Sequence, residues 1–283
     1  MSLLLRFPIG LALSAAIGVV AYRRAMLTRS GALGAVIVGT AIFGFGGLAW
    51  GMLLIAFFVL SSGLSHFRER EKEAIAAEKF DKGSVRDIGQ ALANGGAGAL
   101  VAALAVLWPT PALLAAFVGA MATVNADTWA TELGVLSRRP PRLVTTLRPV
   151  ERGSSGGVSL LGTAATLAGA GVIGLLAVAF LAVVRALGQP APGDPGAAQA
   201  SWLVLAAAGG GLAGSLLDSL FGATVQAIYF CPTCQKETEK RTHSCGTATA
   251  PLRGWGWFNN DVVNFTSSLA GAAVAAGLWR LLA

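Results

Sequence analysis

The sequence predicts an all-α membrane protein: one polytopic bundle over residues 1–283, with about eight transmembrane helices (seven to nine) and both termini outside. Three observations lead there. Hydrophobic residues make up 54% of the chain and charged ones only 12%, against about 25% in an ordinary soluble domain. The apolar residues fall in runs long enough to cross a bilayer. The basic residues fall almost wholly in alternate connections between those runs. A soluble chain of this composition would expose apolar surface that it could not cover. The 37 glycines lie mostly inside the apolar runs, where small residues let membrane helices approach closely.

A span needs about 20 apolar residues. The first is Leu3–Ala21. Its flanking arginines, Arg23 and Arg24, follow the apolar run, the reverse of a secretory leader, so it is expected to remain as an anchor. The run 31–64 is too long for one helix, and Gly44, Gly46 and Gly47 interrupt it, so it divides into spans at about 31–45 and 47–65. His66 marks the end of the second. The fourth span is about 88–107. Trp108-Pro109-Thr110-Pro111 is a tight turn into a fifth at about 111–133. Spans at about 157–184, 201–227 and 260–281 complete the set. The Pro- and Gly-rich stretch 188–196 is expected to be a flexible loop.

All of the 21 basic residues except Arg6, Arg185 and Arg280 then fall on one side. They lie after span 1 (Arg23, Arg24, Arg29) and in a charged loop at 66–87 that includes Arg70. The rest lie in a basic, Gly-rich loop at 134–156 and in a Cys/His loop at 228–258. The positive-inside rule makes that side cytoplasmic, in a cell (inner) membrane. The net charge of +7 is therefore an orientation signal and a source of anion sites, and calls for no nucleic-acid partner.

Four acidic residues remain within the spans: Asp127, Glu132, Asp218 and Asp261. Ionisable groups there cost several kcal/mol unless paired or hydrated, so they are candidate functional residues. All fall toward the cytoplasmic side. Asp218 lies about nine residues, or ~14 Å, from that surface at 1.5 Å per residue. Helical spacing gathers polar stripes at the same level: Asp87, Gln90 and Asn94; Ser215, Asp218, Ser219, Gly222 and Gln226; Asn260, Asp261 and Asn264. In span 5, Asn125, Thr128 and Glu132 share a face, while Asp127 and Glu132 lie about 140° apart. Carboxylates and amides are Mg²⁺ ligands, and Mg²⁺ typically takes one or two carboxylates plus substrate phosphates. Phosphates in turn need Arg, Lys or free backbone N–H groups. Arg152-Gly153-Ser154-Ser155-Gly156-Gly157, just before a helix, can supply such N–H groups.

Cys231-Pro-Thr-Cys234 followed by His243-Ser-Cys245 is a C-x2-C-x8-H-x-C pattern. It offers four Zn²⁺ ligands, a closed set with a structural role, in a compartment where thiols stay reduced.

The segments Gln90-Ala-Leu-Ala-Asn94-Gly-Gly, Asn125-Ala-Asp127-Thr-Trp-Ala-Thr-Glu132, Ser137-Arg-Arg-Pro-Pro-Arg142, Gly153-Ser-Ser-Gly-Gly157, Asp218-Ser-Leu-Phe-Gly-Ala-Thr-Val-Gln226 and Asn259-Asn-Asp-Val-Val-Asn264 together resemble the transmembrane protein 19 family (domain of unknown function 92). That family includes plant phytyl-phosphate kinase. The resemblance runs from about Leu27 to the C-terminus. It implies a membrane kinase that converts an isoprenyl monophosphate to the diphosphate, with kinship to CTP-using phytol and dolichol kinases.

On that basis Asp127 and Asp218 are expected to hold Mg²⁺, helped by Asn94 and Asp261, with Glu132 beside or on the metal. Arg138, Arg139, Arg142 and Arg152, with Gly153–Gly157, are expected to bind phosphates. Asn125, Thr128, Ser219, Gln226, Asn260 and Asn264 complete the expected nucleotide and lipid site. The partners implied are a nucleoside triphosphate, CTP before others, an isoprenyl monophosphate and membrane lipids. The oligomeric state stays open, a homodimer included. Two rival readings are a cytidylyltransferase that makes a CDP-lipid and a transporter with a midplane ion site. The polar groups are biased to one leaflet, which weighs against transport.

Overall fold

In the computed structural model, the described residues are 3–68, 72, 75 and 77–283. Arg70, counted above among the basic residues of the charged loop, lies outside them. Among the described residues, eight helices are long and apolar enough to cross a membrane: α1 (Leu3–Arg23), α2 (Arg29–Gly46), α3 (Leu48–His66), α4 (Ile88–Leu107), α5 (Pro111–Gly134), α6 (Leu160–Ala186), α7 (Trp202–Thr224) and α8 (Asn260–Leu282). The predicted all-α membrane bundle is what the chain forms.

Local chemistry sets the ends of these helices. Thr28, Thr110, Ser159 and Asn259 cap α2, α5, α6 and α8 by accepting a backbone N–H two or three residues into the helix, and Asp87 and Gln90 form a full capping box on α4. Pro111 opens α5, where its missing N–H costs nothing. Gly47, at φ +79°, separates α2 from α3; a side chain there would be strained.

α5 is the central helix. Every residue from Leu114 to Ala126 is buried, because α6, α7 and α8 all pack around it. Small residues make this possible. A Cβ on Gly210 would sit 2.6 Å from the Gly271 carbonyl, and one on Gly119 2.7 Å from the same oxygen. Thr123 joins the contact, its hydroxyl donating to the Gly119 and Gly210 carbonyls at 2.9 and 3.3 Å. Backbones that nearly touch are the usual device of membrane helix packing. Farther out, Trp50 of α3 stacks on Phe117 of α5 with centroids 4.2 Å apart. α2 packs on α4, and α1 packs on α2 at the edge.

Four connections meet on one face. The α1–α2 turn bonds to the start of α4, Thr28 N to Arg86 O at 3.0 Å and Arg86 N to Met26 O at 3.1 Å. Glu239 N donates to Lys79 O at 2.9 Å, joining the last long loop to the loop after α3. Ser155 joins the α5–α6 loop to Gln226 and Glu239. These are the four connections that carry the basic residues. Two small antiparallel sheets lie among them. One pairs β1 (Arg142–Leu143) with β2 (Gly157–Val158); the other has the order β4 (Lys236–Thr238), β3 (Ile228–Cys231), β5 (Ala250–Arg253).

The opposite face carries one correction. The stretch 188–196 is pinned rather than flexible. Arg185 Nε meets Asp194 Oδ2 at 2.8 Å, Asp194 Oδ1 accepts from Gly196 N at 2.9 Å, and the Asp194 side chain is almost fully buried. Pro and Gly supply the turns here, but the ion pair fixes their arrangement.

Candidate functional site

A cavity of about 880 Å³ opens at the loop-bearing end of the bundle. Helices far apart in sequence line it: Gln90 and Asn94 from α4, Asp127, Thr128 and Glu132 from α5, Ser215, Asp218, Ser219 and Gly222 from α7, Asp261 and Asn264 from α8. Gln226, Asn260 and the whole loop Gly153–Gly157 complete much of the wall.

The arrangement has two electrostatic parts. Asp127, Asp218 and Glu239 lie within electrostatic range of one another and form the negative part. Asp218 Oδ2 accepts from Ser267 Oγ at 3.1 Å, and Asn264 Nδ2 reaches Asn94 Oδ1 at 3.5 Å. Asp261 Oδ1 and Asn264 Oδ1 are buried acceptors with no donor. A buried acceptor normally finds a donor or a cation, so these oxygens fit a cation or a ligand N–H or O–H. The positive part is made by helix ends. The N-termini of α4, α6 and α8 all reach the cavity wall, and each carries a partial positive charge that favours anions. Gly156 brings its backbone against α7, where a Cβ would meet Ala223 N at 2.5 Å. Only glycine allows that approach at its φ of +83°.

The predicted residues divide into three groups. Asn94, Asp127, Thr128, Asp218, Ser219, Gln226, Asn260, Asp261, Asn264 and Gly153–Gly157 all line the cavity. Glu132 also lines it, but it is already occupied: it pairs with Lys72 and accepts from Ser65 Oγ at 2.7 Å, and so anchors the loop after α3. Asn125 and the four arginines are not brought in. Asn125 is buried against α6, with Nδ2 donating to Gly169 O at 2.9 Å, so it joins helices. Arg138, Arg139, Arg142 and Arg152 are exposed on the outside of the loop. Arg142 bonds to Leu147 O, and Arg152 to Arg138 O.

Cations that line the cavity come from other positions: Lys72, Lys82, Arg86, Lys240 and Arg241. Lys82 bridges two helix starts, with Nζ 2.5 Å from Asp261 Oδ2 and 2.9 Å from Asp87 Oδ2. Glu239 is a further member that sequence reasoning misses. Its Oε1 accepts from Gln226 Nε2 at 2.8 Å and from Ser155 Oγ at 3.1 Å. In the sequence these residues register only as loop charge; their one local signal is the close spacing of Lys82, Arg86 and Asp87 ahead of a span.

Burial holds the Glu239 carboxyl above the ordinary glutamate range. A group with a raised folded pKa binds its proton more tightly in the native state, so its ionisation costs stability as pH rises from the unfolded value through the folded one. Glu239→Gln should therefore flatten the fall in thermal stability of the ligand-free protein as pH is raised from about 4. Parallel melting curves for the variant and the parent at every pH would show that Glu239 ionises normally.

Sequence comparison places these features in a family. The family described as integral membrane protein DUF92 matches residues 12–272. The chain belongs to that family. Among its relatives is Protein PGR of Arabidopsis thaliana, 34% identical over 262 residues, covering 88% of this chain and 87% of the relative. An uncharacterised membrane protein of Methanocaldococcus jannaschii is 33% identical over 197 residues, 70% of this chain and 74% of that one. Protein VTE6, chloroplastic, also of A. thaliana, is 30% identical over 255 residues, 88% of this chain and 64% of the relative. No solved structure matches the chain. This DUF92 chain is thus a multi-pass integral membrane protein with a polar cavity at one end.

The Cys/His loop forms a second cluster. Ligand atoms of Cys231, Cys234, His243 and Cys245 all lie within 4.8 Å of one another and could hold a metal ion. Cys231 Sγ and Cys245 Sγ are 3.7 Å apart; a tetrahedron with metal–sulfur bonds of about 2.3 Å has an edge of about 3.8 Å. Among the described residues this is the one such group of three or more His, Cys, Asp or Glu side chains. The cavity carboxylates therefore do not form a closed cage of their own. Such a cage is not needed where substrate phosphates supply the remaining ligands.

Proposed function

We propose that this DUF92 protein is a phosphotransferase of the inner membrane, moving the γ-phosphoryl group of a nucleoside triphosphate, CTP in first place, to an isoprenyl monophosphate. The observation that carries this reading is the pairing of opposites in one cavity. Carboxylates suited to a hard cation stand beside three helix N-termini and a glycine loop suited to polyphosphate. The resemblance to phytyl-phosphate kinase supplies the acceptor class. The positive-inside rule turns the cavity toward the cytoplasm, where nucleoside triphosphate is available.

Asp127 and Asp218 are the residues to hold Mg²⁺, with the partnerless oxygens of Asp261 and Asn264 beside them. When bound, the ion supplies charge neutralisation on the polyphosphate. The chain itself does the positioning. Backbone N–H groups of the 153–157 loop and of the helix starts hold the donor phosphates. Lys82 keeps Asp261 and Asp87 in place across α4 and α8. A non-bridging oxygen of the acceptor monophosphate attacks the γ-phosphorus, the bond to the β-γ bridging oxygen breaks, and nucleoside diphosphate leaves. The acceptor is already ionised, so no strong base is needed, and positioning with charge compensation suffices. The Cys231/Cys234/His243/Cys245 cluster is a structural Zn²⁺ site, because four protein ligands leave no open position for chemistry.

The test is product analysis with purified protein, Mg²⁺, nucleotides labelled at the γ- or α-phosphate, and a panel of prenyl monophosphates. γ-label in a lipid diphosphate supports the kinase. α-label in the lipid with release of pyrophosphate gives the cytidylyltransferase instead. No transfer from any nucleotide to any prenyl monophosphate would overturn both.

A further inference from the structure

A second hollow, of about 100 Å³, lies between α1, α2, α3 and α4. Its wall is largely apolar and includes Leu13, Ile17, Val38, Phe43, Leu54 and Phe57. At one end it reaches Arg86, Gln90 and Asn94, and the same three residues line the large polar cavity. The two hollows thus share one wall, polar on one side and greasy on the other.

Arg86 stands at that junction. Its backbone is locked by the bonds to Met26 and Thr28. Its Nη1 donates to Ser62 Oγ at 3.0 Å, and its guanidinium lies 5.8 Å from the centre of the Phe58 ring. Among the described residues no carboxylate forms an ion pair with it, although Lys72, Lys79, Lys82, Arg185, Lys236 and Arg253 all have acidic partners. Glu132 is within electrostatic reach of Arg86 but is already paired with Lys72, so among the described residues the guanidinium has no carboxylate of its own in contact, and its planar fork suits phosphate.

We infer that the α1–α4 hollow seats the head-proximal isoprenyl unit of a single-chain lipid phosphate whose head is held by Arg86 at the mouth of the polar cavity. This rests on the lipid-phosphate reading above and says where that lipid enters and lies. An apolar cavity of about 150 Å³ takes roughly one benzene, so this hollow takes only the isoprenyl unit next to the head of a single chain, and the rest of the tail runs out along the helices into the membrane. The head is what distinguishes this site from the rest of the lipid-facing surface, since bulk tails meet no cation beside them. The helix on its outer side, α1, packs chiefly on α2 and exposes Leu11, Leu13, Val19 and Val20, so the tail reaches the hollow from the membrane.

The experiment is photolabelling in detergent with a prenyl monophosphate that carries a diazirine on the isoprenyl unit next to the phosphate, mapped by mass spectrometry, with no nucleotide present. Adducts are expected on α1, α2 and α3 around Ile17, Val38 and Leu54. Unlabelled prenyl monophosphate should compete; prenyl alcohol should not. Arg86→Gln should lower labelling about tenfold, the scale of a lost charged hydrogen bond, with Arg86→Lys intermediate. Ile17→Trp, on the peripheral helix, should reduce labelling by the long-chain probe without altering the helical circular dichroism. Adducts spread evenly over lipid-facing helices, or labelling unaffected by Arg86→Gln in a folded variant, would overturn the inference. Labelling needs no group transfer. Specific adducts on a protein that transfers nothing would sink the kinase and keep the lipid site; transfer without adducts in the hollow would do the reverse.

Discussion

Asp127→Asn and Asp218→Asn, made singly, should each lower phosphoryl transfer by on the order of 10³-fold, the scale on which one electrostatic contact to a reacting centre is lost. The fold should survive. Asparagine keeps the size of aspartate, so an amide oxygen at position 218 can still accept from Ser267, which now donates to Asp218 Oδ2 at 3.1 Å. Each change also removes one of three carboxylates that repel one another across the cavity. Activity should therefore collapse while melting temperature in detergent stays level or rises. That split matters, because a structural residue would lose both together. Full activity in both variants would place the reaction elsewhere.

Removing metal from the cysteine loop should also be damaging, by a different route. Cys231→Ser, or treatment with a strong chelator, should release one zinc per chain and cut transfer by about 100-fold or more. Metal binding and folding are one process in such small sites, with apparent energies of about 10–16 kcal/mol in zinc-finger peptides. Cys231 ends β3, which pairs with β4 at Lys236–Thr238, and Glu239 follows directly. Thr238 Oγ1 in turn donates to Glu78 O at 2.9 Å, and Arg253 Nη1 meets Glu237 Oε2 at 2.9 Å. Loss of the cluster would thus free a wall of the cavity while leaving the spans intact. Zinc content by mass spectrometry, protease sensitivity of 228–258 and helical circular dichroism separate these effects. Metal-free protein with full activity and a protected loop would refute the role.

Much of this molecule is legible in its sequence because the membrane simplifies the problem. Each span must satisfy its own backbone, so length and hydropathy locate it without tertiary information. Gly47 as a break, His66 as a helix end, and the cysteine quartet are local in the same sense. The polar stripes of α4, α7 and α8 are readable because those helices have an outer face to contrast with an inner one. α5 has none. Buried on all sides from Leu114 to Ala126, it offers no hydrophobic contrast, and helical spacing alone cannot tell that Asn125 faces Gly169 while Asp127 faces the cavity. The site's cations escape sequence reasoning for another reason. Lys82 reaches Asp261 across 179 positions of sequence, and Glu239 reaches Ser155 across 84. Such partnerships arise from how loops fold over one another, which no local pattern records. Arg138 to Arg152 stand out as a basic run beside a glycine loop, yet they are exposed and do not line the cavity.

The contact of Gly119, Gly210 and Gly271 around Thr123 has a consequence for what the protein can move. One turn and more from Asp127 and Asp218 the backbones of three helices nearly touch, which leaves little room for passage between them. A carrier must show its cargo to each side in turn, and to do so here it would have to prise apart a seam with no side chains left to slide. On the proposed reading, a ligand that enters from the loop end leaves by the loop end or sideways into lipid.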